Sequence, residues 1–179
     1  MRPNNRDAIL RAAELLILKQ GVGALTLDEA AANAGMSKGG LLYHFKTKDE
    51  LVRALLTFAF ANFEASVERL ALADQGPGRW LRSYVRATFD TDAATETESL
   101  ASAALIVAYF GKDSLVRKQY EDAHARWSER AKHDAIAPPV ADVIRMATDG
   151  LWLAEALGVS RFDQERKRAF VNELLELAR

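Results

Sequence analysis

The 179-residue sequence has no cysteine, which excludes disulfides, thiolate metal sites and a catalytic thiol. Histidine is scarce, with only His44, His124 and His133. No His-rich zinc motif, glycine-rich phosphate loop or nucleophile elbow is present. Glu121-x-x-His124 has the spacing of a carboxylate-bridged metal helix, but the second copy that a di-iron site needs is missing. No catalytic residue, metal or cofactor is therefore expected. Long apolar runs are lacking too. The longest mostly apolar stretch, Leu51 to Ala61, is broken by Arg53 and is far too short to span a bilayer. Met1-Arg2-Pro3-Asn4-Asn5 has no apolar core of the kind a secretion signal carries. A cytoplasmic protein with no membrane partner is the expectation.

Neither sign of charge dominates: the formal net charge is −1. Residues 1–53 hold eight Lys/Arg against six Asp/Glu, giving +2, and residues 54–179 hold sixteen against nineteen, giving −3. The positive excess is thus at the N-terminal end, where a DNA contact would use it. Apolar residues make up 49% of the chain, enough to build a packed core and to exclude disorder.

What is present is helical periodicity nearly throughout. In residues 6–20, Ile9, Ala13, Leu16 and Gln20 follow a helical stripe, widened by Ala12, Leu15 and Ile17. Gly21 and Gly23 end it. Thr26 with Glu29, and Thr47 with Glu50, have capping-box spacing. Ser37 is the cap between them. These signals predict short helices after Thr26 and Ser37 and a long one from Thr47 to about Ala71. Later helices are expected over 78–92, 97–110, 112–134, 139–157 and 163–178, with Pro77 in the first turn of the helix that follows it. Asp90, Asp92, Glu96 and Glu98 read as a solvated turn.

The informative stretch is Thr26 to Lys48, TLDEAAANAGMSKGGLLYHFKTK. Two short helices meet across Asn33-Ala34-Gly35-Met36-Ser37, the arrangement of a helix-turn-helix whose second helix enters the major groove. Ala30, Ala31 and Ala34 allow close approach, while Met36 and Leu41 fill the wedge against the first helix. Gly39 and Gly40 each cost the next helix about 1 kcal/mol relative to Ala, a cost that suits close approach to a large partner. Leu41 and Phe45, four apart, anchor one face. Ser37, Tyr43 and His44 are then candidates for phosphate, Lys38 for phosphate or guanine, and Leu42 for a thymine methyl. Lys46 and Lys48 flank the start of the fourth helix. The same Ala-Gly turn also occurs in purely structural helix pairs, so the motif alone does not decide between the two roles.

The run from Met36 to Leu51, MSKGGLLYHFKTKDEL, closely resembles the DNA-binding signature of the TetR family of transcriptional regulators. The preceding Ile-Leu-x-Ala-Ala pattern and Thr-Leu-x-x-Ala-Ala-x-x-Ala-Gly match as well, so the specific likeness covers residues 6–55. It implies an all-α, nine-helix homodimer. A helix-turn-helix domain over 1–48 would be joined to a helical effector-binding and dimerisation domain over 49–179. It also implies a repressor released from a double-stranded DNA operator by a small-molecule effector. Thr26, Ser37, Lys38, Tyr43, His44 and Lys48 fall on positions that usually touch DNA. Gly40 stands where a polar side chain is frequent and Leu42 where Tyr is frequent, so the operator sequence is not carried over. On the family scaffold, Phe63, Tyr84, Tyr109, Phe110 and Trp127 are the candidate effector liners, and such an aromatic lining favours a hydrophobic or aromatic compound. The apolar stripes of the last two helices, with Val143, Ala147 and Leu151 on one and Phe170, Leu174 and Leu177 on the other, suit a four-helix dimer interface. The alternatives are a ligand-responsive activator, or a helical small-molecule carrier or enzyme without DNA function.

Overall fold

A computed structural model of the chain describes residues 5–90 and 93–179, with side chains over 5–90 and 98–179. Among these residues the chain forms nine α-helices and no strand: α1 (Asn5–Gln20), α2 (Leu27–Asn33), α3 (Lys38–His44), α4 (Lys48–Leu72), α5 (Arg79–Phe89), α6 (Ala93–Tyr109), α7 (Ser114–Lys132), α8 (Pro138–Ala156) and α9 (Gln164–Leu177). None of them is long and apolar enough to cross a membrane. The start of the expected 97–110 helix is earlier than composition suggested, because the polar stretch preceding it is itself helical from Ala93. Of the residues expected in a solvated turn, Asp92 and the Glu96 side chain lie outside the described set, and Asp90 is exposed. Glu98 is instead half-buried on α6.

The helices form two compact units that do not follow chain order. The first holds residues 1–60 and 93–120, the second 61–92 and 121–179. Helices α4 and α7 therefore contribute residues to both.

In the first unit α1 packs on α2 and α6. Its buried face is Ile9, Leu10, Ala13, Leu16 and Ile17, a stripe rotated from the expected one. Leu15 and Gln20 point outward, and Glu14 is buried in their place, 5% exposed. At about 100° per residue, position 14 falls about 40° beyond Leu10 at the edge of this aliphatic face, so the larger aliphatic set carries the carboxyl inward with it. Glu14 Oε1 has no hydrogen-bond partner. Burial first and the Glu98 carboxylate second push its pKa up from 4.5 to about 7, against a smaller opposing effect of Arg11.

In the second unit α5 packs on α8 and α9. Its N-terminus lies at Gly78, in the left-handed conformation and without a capping side chain. Pro77 precedes the helix rather than occupying its first turn as expected. The missing cap comes from the end of α7. Asp134 accepts from the Trp80 amide at 3.0 Å and the Leu81 amide at 2.7 Å, and its own carbonyl accepts from the Gly78 amide at 2.8 Å. A Cβ at Gly78 would lie 1.7 Å from the Ala178 carbonyl oxygen. Arg82 closes the corner by donating to both Asp74 carboxylate oxygens and to the carbonyls of Gln75, Pro77 and Ala178.

Gly78→Ala is expected to destabilise the fold by about 2 kcal/mol or more, through the positive φ and the collision with α9; a urea titration monitored by circular dichroism measures this. Glu14 is protonated in the fold up to about pH 7, whereas the unfolded chain releases that proton near 4.5. The stability that Glu14 contributes is therefore fully present below about pH 4.5 and is lost as pH rises to about 7. Glu14→Gln should raise stability at pH 8 by on the order of 2–3 kcal/mol, and thermal melts should show the gain shrinking towards pH 5.

Candidate functional site

The N-terminal end of the first unit is built by caps and one left-handed turn. Thr26 Oγ1 accepts from the Glu29 amide at 3.1 Å and starts α2. Helix α2 stops at Gly35, whose φ of 67° lets the Gly35 amide reach the Ala32 carbonyl and the Met36 amide the Ala31 carbonyl, the double closure of a Schellman turn. Two residues later Ser37 Oγ accepts from the Gly40 amide at 3.1 Å and starts α3. Thr47 Oγ1 accepts from the Glu50 amide, and the Glu50 carboxylate reaches back to the Lys46 amide at 2.7 Å. Leu41 and Phe45 are buried, with Leu41 fully enclosed. Arg6 lies 5.2 Å over the Phe45 ring.

With that face docked, the opposite face of α3 is presented to solvent. Tyr43 is 86% exposed, its ring edge-on to His44 at 5.2 Å. Ser37, Lys38, Gly39 and Gly40 are exposed, while Leu42, His44 and Lys48 are half-buried. Thr26 is exposed at the start of α2. The oxygens of Thr26 and Ser37 are already engaged as caps, which leaves each hydroxyl its proton to donate. A Cβ would meet nothing within 4 Å at Gly39 and only Ser37 Oγ, at 3.4 Å, at Gly40. The fold itself thus requires glycine at neither position. Lys38 is paired with Asp28, which sequence reasoning did not single out.

The aromatic candidates divide between the units. Phe63, Tyr84 and Trp127 come together in the second, with ring centroids 5.1 to 5.9 Å apart and edge-on geometry. Tyr109 and Phe110 belong to the first, where Phe110 meets Tyr120 edge-on at 5.7 Å. Beside the first three lies a polar cluster with no counterpart in the sequence reading. Tyr84 donates to Asp149 at 2.6 Å. Arg145, 1% exposed, donates to Ser128 and, at 3.3 Å, meets His124 Nδ1. Its guanidinium is 3.7 Å from Asp149. The same His124 Nδ1 lies 3.8 Å from the Asp149 carboxylate. Burial lowers the His124 pKa, with Asp149 opposing. Burial raises the Asp149 pKa and, with Asp149, pushes the Tyr84 phenol well above its ordinary value. Arg145 Nε and Asp149 Oδ2 have no hydrogen-bond partner. The signal for this cluster was two i, i+4 pairs, His124/Ser128 on the polar α7 and Arg145/Asp149 on the mostly apolar α8. His124 is thus engaged with α8, and no group of three metal-ligating side chains occurs among the described residues.

Of the candidate dimer residues, Leu151 and Leu174 are buried within the chain, Ala147 is half-buried, and Phe170 meets Phe162 at 5.5 Å. Val143, 56% exposed, and Leu177 face solvent, as does Met146, which the stripe had not included.

Residues 78–179 match the family profile described as tetracyclin repressor-like, C-terminal domain, and residues 9–55 match that of the bacterial regulatory proteins, tetR family. The chain belongs to the TetR family. It is a DNA-binding transcriptional regulator, not an enzyme. Among its TetR relatives, the HTH-type transcriptional regulator BetI of Paraburkholderia xenovorans is 27% identical over 99% of this chain and 94% of that protein. BetI of Serratia proteamaculans is 25% identical over 98% and 92%. A transcriptional regulator from Rhodococcus sp. Rha1 superposes with a TM-score of 0.82 at 16% identity, covering 98% of this chain and 96% of that one. A regulator from Saccharomonospora viridis, solved in complex with choline, superposes with a TM-score of 0.74 at 21% identity, covering 96% and 95%.

Asp149→Ala should destabilise the second unit by about 3–5 kcal/mol, because it leaves the buried Arg145 guanidinium without its carboxylate. Tyr84→Phe should cost about 1–2 kcal/mol. Denaturant titrations of the two variants check both values and their order.

Proposed function

We propose that this TetR regulator is a homodimeric repressor that grips an operator with α3 and lets go when a small molecule binds in the second unit. The observation that carries the DNA half is the exposed face of α3. Tyr43 projects from a helix whose other face is locked by Leu41 and Phe45, so its side chain is presented to solvent from a fixed stretch of backbone. Tyr43, His44, Ser37, Thr26 and Lys48 then take phosphates, while Lys38 and Leu42 face base edges. Gly39 and Gly40 let the backbone come close. In this reading residues 1–48 hold the DNA, residues 49–179 hold the effector and the partner subunit, and the protein works in the cytoplasm.

The effector half rests on Phe63, Tyr84 and Trp127 with the charged cluster beside them. Since α4 and α7 contribute residues to both units, a shift of either helix on effector binding acts on both. The choline complex of the Saccharomonospora viridis regulator makes choline the first compound to test. Dimerisation is assigned to α8 and α9, whose exposed Val143, Met146 and Leu177 offer apolar surface.

Fluorescence anisotropy with a duplex from upstream of the regulator's own gene tests the DNA half. Tyr43→Ala and Lys48→Ala should each weaken binding roughly 5–10-fold for every sequence, and Lys48→Ala should reduce the salt slope by about one. Affinity indifferent to both substitutions would refute the interface. Choline and a compound library, scored first by thermal shift and then by operator release, test the effector half. Val143→Glu with Met146→Glu should yield monomers in light scattering.

A further inference from the structure

The first turn of α3 presents DNA with a single side chain able to hydrogen-bond. Gly39 and Gly40 have none and Leu41 is buried, which leaves Lys38. How Lys38 is aimed therefore decides what this end of the helix can read.

That direction is set from α2. Lys38 Nζ lies 2.9 Å from Asp28 Oδ1 and 3.0 Å from Oδ2, tying the two helices of the helix-turn-helix across their outer surface. Both side chains are exposed, 61% and 64%. Where a Gly39 side chain would begin there is no neighbouring atom within 4 Å, so the glycines do not restrict the lysine. An exposed ion pair contributes little stability and is screened by salt. It does, however, bias the direction of a flexible four-carbon chain that carries a point charge.

We infer that Asp28 is a positioning residue that withholds Lys38 from phosphates and leaves it for a base edge. The inference rests on the DNA interface proposed above. A free lysine on a DNA-facing surface settles on phosphate, which every sequence offers equally. With Asp28 beside it, the nearest backbone phosphates meet a carboxylate as well as an ammonium, and the pair is close to neutral towards them. A base edge with adjacent acceptors, as guanine presents in the major groove, draws the ammonium with directed hydrogen bonds. Asp28 thereby lowers indiscriminate binding more than it lowers specific binding.

The test measures affinity by anisotropy over a range of KCl concentrations, for the upstream duplex and a scrambled duplex of equal length and composition. Asp28→Ala and Asp28→Asn should tighten binding to the scrambled duplex by about 3–10-fold and steepen its salt slope by about one. The ratio of specific to scrambled affinity should fall by a similar factor, and Asp28→Glu should restore it. In a Lys38→Ala background, Asp28→Ala should leave the ratio unchanged. An unaltered ratio in Asp28→Ala, while the parent protein still discriminates, would overturn the inference alone. So would an equal change with and without Lys38, since Asp28 would then act only through its own charge. A parent protein that does not discriminate between the duplexes would overturn both this inference and the interface beneath it.

Discussion

Leu41 and Phe45 hold α3 against the first unit, and everything the DNA-binding end does depends on that anchorage. Seven residues with two glycines do not make a helix that stands alone. The caps at Ser37 and Thr47 fix where α3 begins and where α4 takes over, and the left-handed turn at Gly35 directs the chain from α2 into α3. These devices would be idle without the two buried side chains, because only burial decides which face is left outward. Tyr43 is exposed because Leu41 is not.

The second unit solves a different problem, that of keeping charge inside. The Arg145 guanidinium is enclosed, and Asp149, His124, Ser128 and Tyr84 are arranged around it. Such a group adds little net stability over a well-packed apolar alternative and is costly once one partner is lost. It does place polar atoms with unused hydrogen-bonding capacity next to three aromatic rings, which is the chemistry a small-molecule sensor needs. Asp134 and Arg82 do comparable work at the start of α5, supplying a cap and satisfying carbonyls that the local sequence leaves open.

Much of this was legible from the residues. The order and approximate limits of the helices followed from periodicity, glycine stops and hydroxyl caps, all of them local signals. The helix-turn-helix was legible for the same reason, since its turn, its caps and its short helices lie within one continuous stretch. Less local features were misread or missed. The inward turn of Glu14 reflects the best average direction for five aliphatic neighbours. Tyr109 and Phe110 were grouped with Phe63, Tyr84 and Trp127 because all lie on successive helices, yet they belong to another unit. Leu151 and Leu174 looked like interface residues, although the stripe that buries a helix in its own core has the same period as one that meets a partner.

The sequence by itself determined which segments are helical, where they start and stop, and which short stretch carries the DNA-reading signature. Those properties depend on residues within a few positions of one another. Tertiary structure alone decided that α6 joins α1 while α5 joins α8 and α9, that Asp134 caps a helix more than fifty residues away, and that Asp28 and Lys38 meet. Pairings across such separations leave no periodic trace in the chain, because they are chosen by how whole faces fit together.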